Sequence, residues 1–316
     1  MAGVPQRAMT AFPWREAVLL ALWLLATIWA RPLLLPDEGR YAGVAFEMLQ
    51  GSALVPTLDG LPFFHKPPLL YWADMAAMRL FGIDAFAVRV GPTLAAWAMG
   101  LALCLHLQRS HGAVAARVGL LVLATSPLFF VGAQYVNHDI GVAACISLAV
   151  LTAVRALDSP PSWWQPWMLA AWLCCGLGVL AKGLIGIVIP ALVVLPWLLA
   201  QRRWRDLLRL LHPPGIVLAV LVVLPWMWAM QTRYPGFFDY FIVEQHFRRY
   251  AGVTFNNQQP FWFFAPVLPL LMLPWSLWLW PALRQRGGQA GLYLWWVAVV
   301  VGFFSLPSSK IGRAHV

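Results

Sequence analysis

Charged side chains are scarce in this chain. Asp, Glu, Lys and Arg together make up 11% of its 316 residues, whereas a soluble domain carries about 25%. Hydrophobic residues reach 61%. One globular core of this length could not hide that much apolar surface from water, so a soluble globular fold is excluded and the bilayer must act as solvent. Cysteine is also sparse. Cys104, Cys145, Cys174 and Cys175 all lie inside apolar runs, which excludes a disulfide framework and a cysteine metal site. No internal repeat is visible, and Lys is almost absent: Lys66, Lys182 and Lys310 stand against 19 Arg.

What is abundant agrees with a membrane. The 19 Trp suit the headgroup level, where an apolar ring with a polar edge is favoured. The formal net charge is +10, but the basic residues form short clusters between apolar runs and no continuous basic face. They read as topology signals, and nucleic acid is not expected as a partner. The first apolar run, from Ala17 to Leu35, is long enough to span and is followed by no cleavage site, so it reads as an uncleaved helix.

Apolar runs near 17–35, 88–107, 118–135, 140–157, 167–181, 184–200, 210–229, 261–283 and 290–306 predict about nine transmembrane helices. The fold class is an all-α polytopic membrane protein with interfacial amphipathic helices in its first outer loop. The 167–200 stretch is too long for one helix and is read as a hairpin with Lys182 at its turn. The short loops that the N-in orientation places inside are dense in Arg, which predicts a cytoplasmic N-terminus. Two long outer segments follow, about 36–87 and 230–260. In the first, Asp37 to Gln50 has helical periodicity, Pro67 and Pro68 break the chain, and 69–81 resumes as an amphipathic helix.

Under this topology Asp37, Glu38, Arg40, Lys66, Asp139, Lys182, Glu244, Arg248 and Arg249 all fall on the outer side. Charges collect at helix ends by default, because placing one at the bilayer centre costs about 2.5–3.5 kcal/mol. Each therefore has a plain structural reading beside a functional one. Asp37 and Asp139 could be helix N-caps or working carboxylates. Arg40 could simply pair with Asp37 on one helix face, and Glu244 with Arg248. Lys66, held by two prolines, could snorkel or fix an anion. Lys182 sits among Gly178, Gly183 and Gly186, where an unpaired ammonium is costly, which favours function. His65, His138 and His246 share no metal-ligand spacing within one helix.

An ordered set of motifs carries a resemblance. Pro36-Asp37-Glu38-Gly39-Arg40-Tyr41 is followed by Phe64-His65-Lys66-Pro67, Phe86-Ala87-Val88-Arg89, Asn137-His138-Asp139, Ala181-Lys182-Gly183 and Glu244 through Tyr250. Gln259-Pro260-Phe261-Trp262 and Phe304 through Lys310 complete it. The set resembles the aminoarabinose transferases, which belong with the protein O-mannosyltransferases among the GT-C membrane glycosyltransferases.

The resemblance implies an enzyme of the bacterial inner membrane with a periplasmic active site. It would take a sugar from a polyprenyl phosphate and pass it to a lipid A-like, other lipid or glycan, or protein acceptor. Asp37 and Asp139 match the catalytic carboxylates. Arg40, Lys66, Lys182, Arg248 and Arg249 match the positions that hold the carrier phosphate, with Glu38 and Glu244 supporting. Where the family commonly has Phe-Glu-Lys-Pro and Glu-His, this chain has His65 and Gln245. In the aminoarabinose branch those positions hold zinc, so here the metal is undetermined, with His65 and His246 the substitute pair. A secondary transporter or lipid flippase is the competing class, but would place its binding groups near the bilayer midplane. Residues 1–310 are expected to form a transferase domain that is truncated at its C-terminal end. Ile311 through Val316 read like a translated sequencing adapter and are expected to be a non-native tail.

Overall fold

A computed structural model describes residues 11–248, 259–284 and 288–307. The fold is helical apart from one small hairpin. In chain order the elements begin with α1 (Trp14–Leu25), α2 (Asp37–Gln50), β1 (Thr57–Leu58), β2 (Leu61–Pro62) and α3 (Leu69–Phe81). Then come α4 (Ala85–His111), α5 (Ala113–Thr125), α6 (Pro127–Ala133), α7 (His138–Leu157), α8 (Pro166–Lys182) and α9 (Ile185–Ala200). They are followed by α10 (Trp204–Leu210), α11 (Pro213–Arg233), a π-helix (Asp239–Arg248), α12 (Phe264–Leu271), a 3-10 turn (Trp275–Trp278), α13 (Leu279–Leu283) and α14 (Gly288–Ser305).

Among the described residues, three helical stretches are long and apolar enough to cross a membrane: Ala85–His111, His138–Leu157 and Trp204–Arg233. Counting each bent pair as one span raises the number to five. α8, α9 and α14 are apolar but shorter, so the apolar runs of the sequence appear as a few long helices with shorter apolar helices beside them. Proline is the cause in two places. Pro127 opens α6 at a 68° bend from α5, and the 264–283 stretch, which contains Pro269 and Pro274, bends by 112°.

The expected first span also changes. Its helix stops at Leu25, because the carbonyls beyond it are used elsewhere. Arg89 donates to the carbonyl oxygens of Ile28, Arg31 and Pro32 at 2.8–2.9 Å. Pro32 and Pro36 remove two amide donors in the same stretch.

α7 is the central helix. Its span is 67% buried, against 28% for α4 and 17% for the Trp204–Arg233 stretch. Val142, Ile146, Val150 and Val154 of α7 meet Ala171 and Ala181 of α8 and Ile189 and Val193 of α9. α8 and α9 form the predicted hairpin. Gly183 closes α8 at a φ of 105°, a left-handed conformation that favours glycine. Beyond the turn the two backbones nearly touch: a Cβ added to Gly186 would lie 2.4 Å from the carbonyl carbon of Gly178.

The first outer loop folds as predicted over α2 and α3, with a hairpin between them that the sequence reading did not contain. Asp59 and Gly60 both have positive φ, 53° and 73°, which is the signature of a type I′ turn. Their amides donate to the Glu47 carboxylate at 2.6 and 3.2 Å, tying the turn to α2.

Candidate active site

The two acidic residues proposed from sequence are not helix caps. α2 has Pro36 at its cap position with no side-chain cap bond, so Asp37 stands at the first helical position. In α7 the cap is Asn137, whose side chain accepts from the Asp139 amide at 2.8 Å. Asn137 thus does the capping work and leaves the Asp139 carboxylate to point elsewhere. It meets the Lys182 ammonium at the end of α8 in a close ion pair. Asp139 keeps 65% of its side-chain surface exposed and Lys182 26%, so a ligand can approach the pair.

Other cations converge there. Lys66, half-buried ahead of the buried Pro67 and Pro68, lies within electrostatic reach of both Asp139 and His138. Arg40 acts on Tyr71 of α3, and the Tyr71 ring is 5.1 Å from that of His138. Three segments distant in sequence therefore place Lys66, Asp139 and Lys182 around one spot, and Arg40 reaches Tyr71 beside it.

Glu38 is engaged within the fold. Its side chain is fully buried. Arg89 donates to both carboxylate oxygens at 3.0 Å, Arg31 forms a second ion pair, and the amides of Leu34 and Val136 donate at 2.8 and 3.1 Å. Burial alone would raise its pKa, but the Arg89 and Arg31 guanidiniums and these amides outweigh it and bring it from 4.5 to about 2. A carboxylate so occupied cannot take a proton from a substrate. It joins the start of α2, beside Asp37, to Val136, three residues before Asp139.

Glu244 lies half-buried in the π-helix, as does Gln245. The Gln245 amide donates to the Tyr240 hydroxyl at 2.8 Å, and the His65 ring stacks on Tyr240 at 6.3 Å. Among the described residues, no three His, Cys, Asp or Glu side chains gather as a metal site. The side chains of His246 and Arg248 lie outside the described residues, as do Arg249 and the 311–316 tail.

The roles of three buried residues are not legible in the sequence. Arg89 stands in a motif with nothing to mark its partner, which is 51 residues away and linked by no spacing rule. His138 and Asp74 each sit on an apolar helix face, where their burial has no local signal.

This arrangement defines a class: a multi-span helical membrane protein of the GT-C type, with cations and an exposed carboxylate at one end of its helices. Residues 65–228, more than half of the chain, match the family described as dolichyl-phosphate-mannose-protein mannosyltransferase, and the chain belongs to that family. It is also similar to proteins named undecaprenyl phosphate-alpha-4-amino-4-deoxy-L-arabinose arabinosyl transferase. One from Sodalis glossinidius, numbered 2, is 36% identical over 93% of this chain and 55% of its own length. Another, from Pseudomonas aeruginosa PAO1, is 33% identical with the same two coverages, 93% and 55%. The crystal structure of ArnT from Cupriavidus metallidurans bound to undecaprenyl phosphate superposes with a TM-score of 0.87 at 28% identity, covering 96% of this chain and 57% of that one. The chain thus spans about half the length of the relatives it matches, and the resemblance to the aminoarabinose transferases is borne out.

Proposed function

We propose that this chain carries the donor site of a glycosyltransferase that takes 4-amino-4-deoxy-L-arabinose from undecaprenyl phosphate and passes it to lipid A. The observation that carries the reading is the convergence of Lys66 and Lys182 on the exposed Asp139, with Arg40 acting on the neighbouring Tyr71. Those cations suit a phosphate. Guanidinium binds it through paired donors and each Lys acts as a point charge. Arg248 and Arg249 are proposed to join them.

The chemistry is displacement at the anomeric carbon. Asp37 takes the proton of the acceptor hydroxyl as the new carbon–oxygen bond forms. The bond to the carrier phosphate breaks, and the phosphate leaves as a stable anion whose growing charge the cations offset. Asp139 holds Lys182 in place. No general acid is needed, because a phosphate leaves without protonation. The site faces the periplasm of a bacterial inner membrane and the N-terminus is cytoplasmic, a topology supported by the Arg-dense short loops. A transporter would bind near the midplane; here the charged groups stand at the ends of α2, α7 and α8 and just before α3.

Binding of undecaprenyl phosphate and of undecaprenol to the purified protein in nanodiscs tests the reading. Strong binding of the phosphate and weak binding of the alcohol are expected. Equal affinities would show that the lipid tail alone is recognised and overturn the proposal.

A further inference from the structure

His138 takes no part in the chemistry above, yet it stands where the site-bearing segments meet. Its ring is buried. Nδ1 lies 2.8 Å from the carbonyl oxygen of Ala181. A carbonyl only accepts, so Nδ1 carries the proton and donates, leaving the lone pair on Nε2. Nε2 is buried without a hydrogen-bond partner among the described residues. The ring stands nearly perpendicular to Tyr41 and Tyr71, with centroids 4.9 and 5.1 Å away.

Each of these neighbours is joined to a site residue. Tyr41 follows Arg40. Tyr71 lies in the first turn of the helix that Lys66, Pro67 and Pro68 lead into. Asp139 is next to His138 on α7, and Ala181 precedes Lys182 on α8. Two bridges therefore run side by side between the start of α7 and the end of α8. The bridge from His138 to Ala181 is buried, neutral and directional. The one from Asp139 to Lys182 is charged and open to solvent. The last carbonyls of a helix lack partners within it, and Ala181 supplies one of them, so His138 pins the end of α8 just before Lys182.

We infer that His138 is a positioning residue, whose Nδ1–H bond to Ala181 sets the end of α8 so that Lys182 meets the carrier phosphate beside Asp139. This rests on the reading of Lys182 as a phosphate-binding group. An Asn side chain places an N–H where Nδ1–H stands, whereas Gln places it where Nε2 stands. Only the first can keep the bond to Ala181.

The test is the affinity of the purified protein for undecaprenyl phosphate in nanodiscs, with undecaprenol as the reference and melting temperature as the check on folding. His138→Asn should bind the phosphate like the wild type. His138→Gln should bind it about tenfold more weakly, the low end for losing an orienting partner, with undecaprenol binding unchanged. If His138→Gln does not fold, His138→Ala takes its place against His138→Asn, with the same ordering expected. Lys182→Met should also weaken phosphate binding. If Lys182→Met is weak while the two His138 variants match each other, this inference fails and the donor-site reading stands. If Lys182→Met binds like the wild type, the donor-site reading fails and takes the inference with it.

Discussion

Glu38 and Arg89 form a doubly hydrogen-bonded ion pair, both side chains fully buried, with each guanidinium–carboxylate contact at 3.0 Å. The pair closes α2 onto α4 and, through Val136, onto the segment leading into α7. Removing one partner of a buried pair costs up to about 3–5 kcal/mol, and less for Arg89→Met, because Arg31 still pairs with Glu38. Glu38→Gln and Arg89→Met should each lower the melting temperature in detergent sharply. Both together should cost less than the sum of the two, because neither charge is then stranded. Additive losses would mean that the two residues do not act as a pair.

The same pair sets an acid limit. The pKa of Glu38 falls from 4.5 to about 2 on folding. Its contribution is complete above 4.5 and is lost as pH falls toward 2. By linkage it amounts to about 3 kcal/mol. Wild-type stability measured from pH 5 to pH 2 should drop more steeply than that of Glu38→Gln. Parallel curves would contradict this.

Asp74 behaves in the opposite sense. It is fully buried on α3, and neither carboxylate oxygen has a hydrogen-bond partner among the described residues. Burial holds its pKa well above 3.8, so folding favours the protonated carboxyl. That contribution to stability is fully present below pH 3.8 and is lost as pH rises toward the folded value. Asp74→Asn keeps the shape and needs no proton. Its melting temperature should exceed that of the wild type at pH 8, with the gap narrowing toward pH 4. A lower melting temperature at pH 8 would show that the ionised form is used in the fold.

Much of this architecture was legible because membranes leave few choices. Apolar runs located the spans, Lys182 and its glycines located the α8–α9 turn, and the prolines at 67 and 68 located the start of α3. Spacing could not show which carboxylate was spoken for. Glu38 and Asp37 are adjacent and look equivalent in sequence, yet one is bound by Arg89 across 51 residues and the other is not. Nor could it show that Asn137, rather than Asp139, caps α7. The shortened α1 was hidden for the same reason, since Arg89 takes its following carbonyls from a distance.

The proposed orientation has its own test. Single cysteines at positions 66, 182 and 244, in a background without the four native cysteines, should react with a membrane-impermeant thiol reagent applied from the periplasmic side. Reaction only after permeabilisation would reverse the topology and move the site to the cytoplasm.

Transfer itself is the most direct measure of the central claim. The purified protein is mixed with undecaprenyl phosphate-4-amino-4-deoxy-L-arabinose and lipid A, and the lipid is read by mass spectrometry. The account predicts that lipid A gains one aminopentose. It also predicts that Asp37→Asn, folded and still binding undecaprenyl phosphate, turns over at least about a hundredfold more slowly, the low end for loss of a general base. Unmodified lipid A from the wild type, beside an active Pseudomonas aeruginosa relative, would contradict the assigned reaction, and full activity in Asp37→Asn would contradict the assigned base.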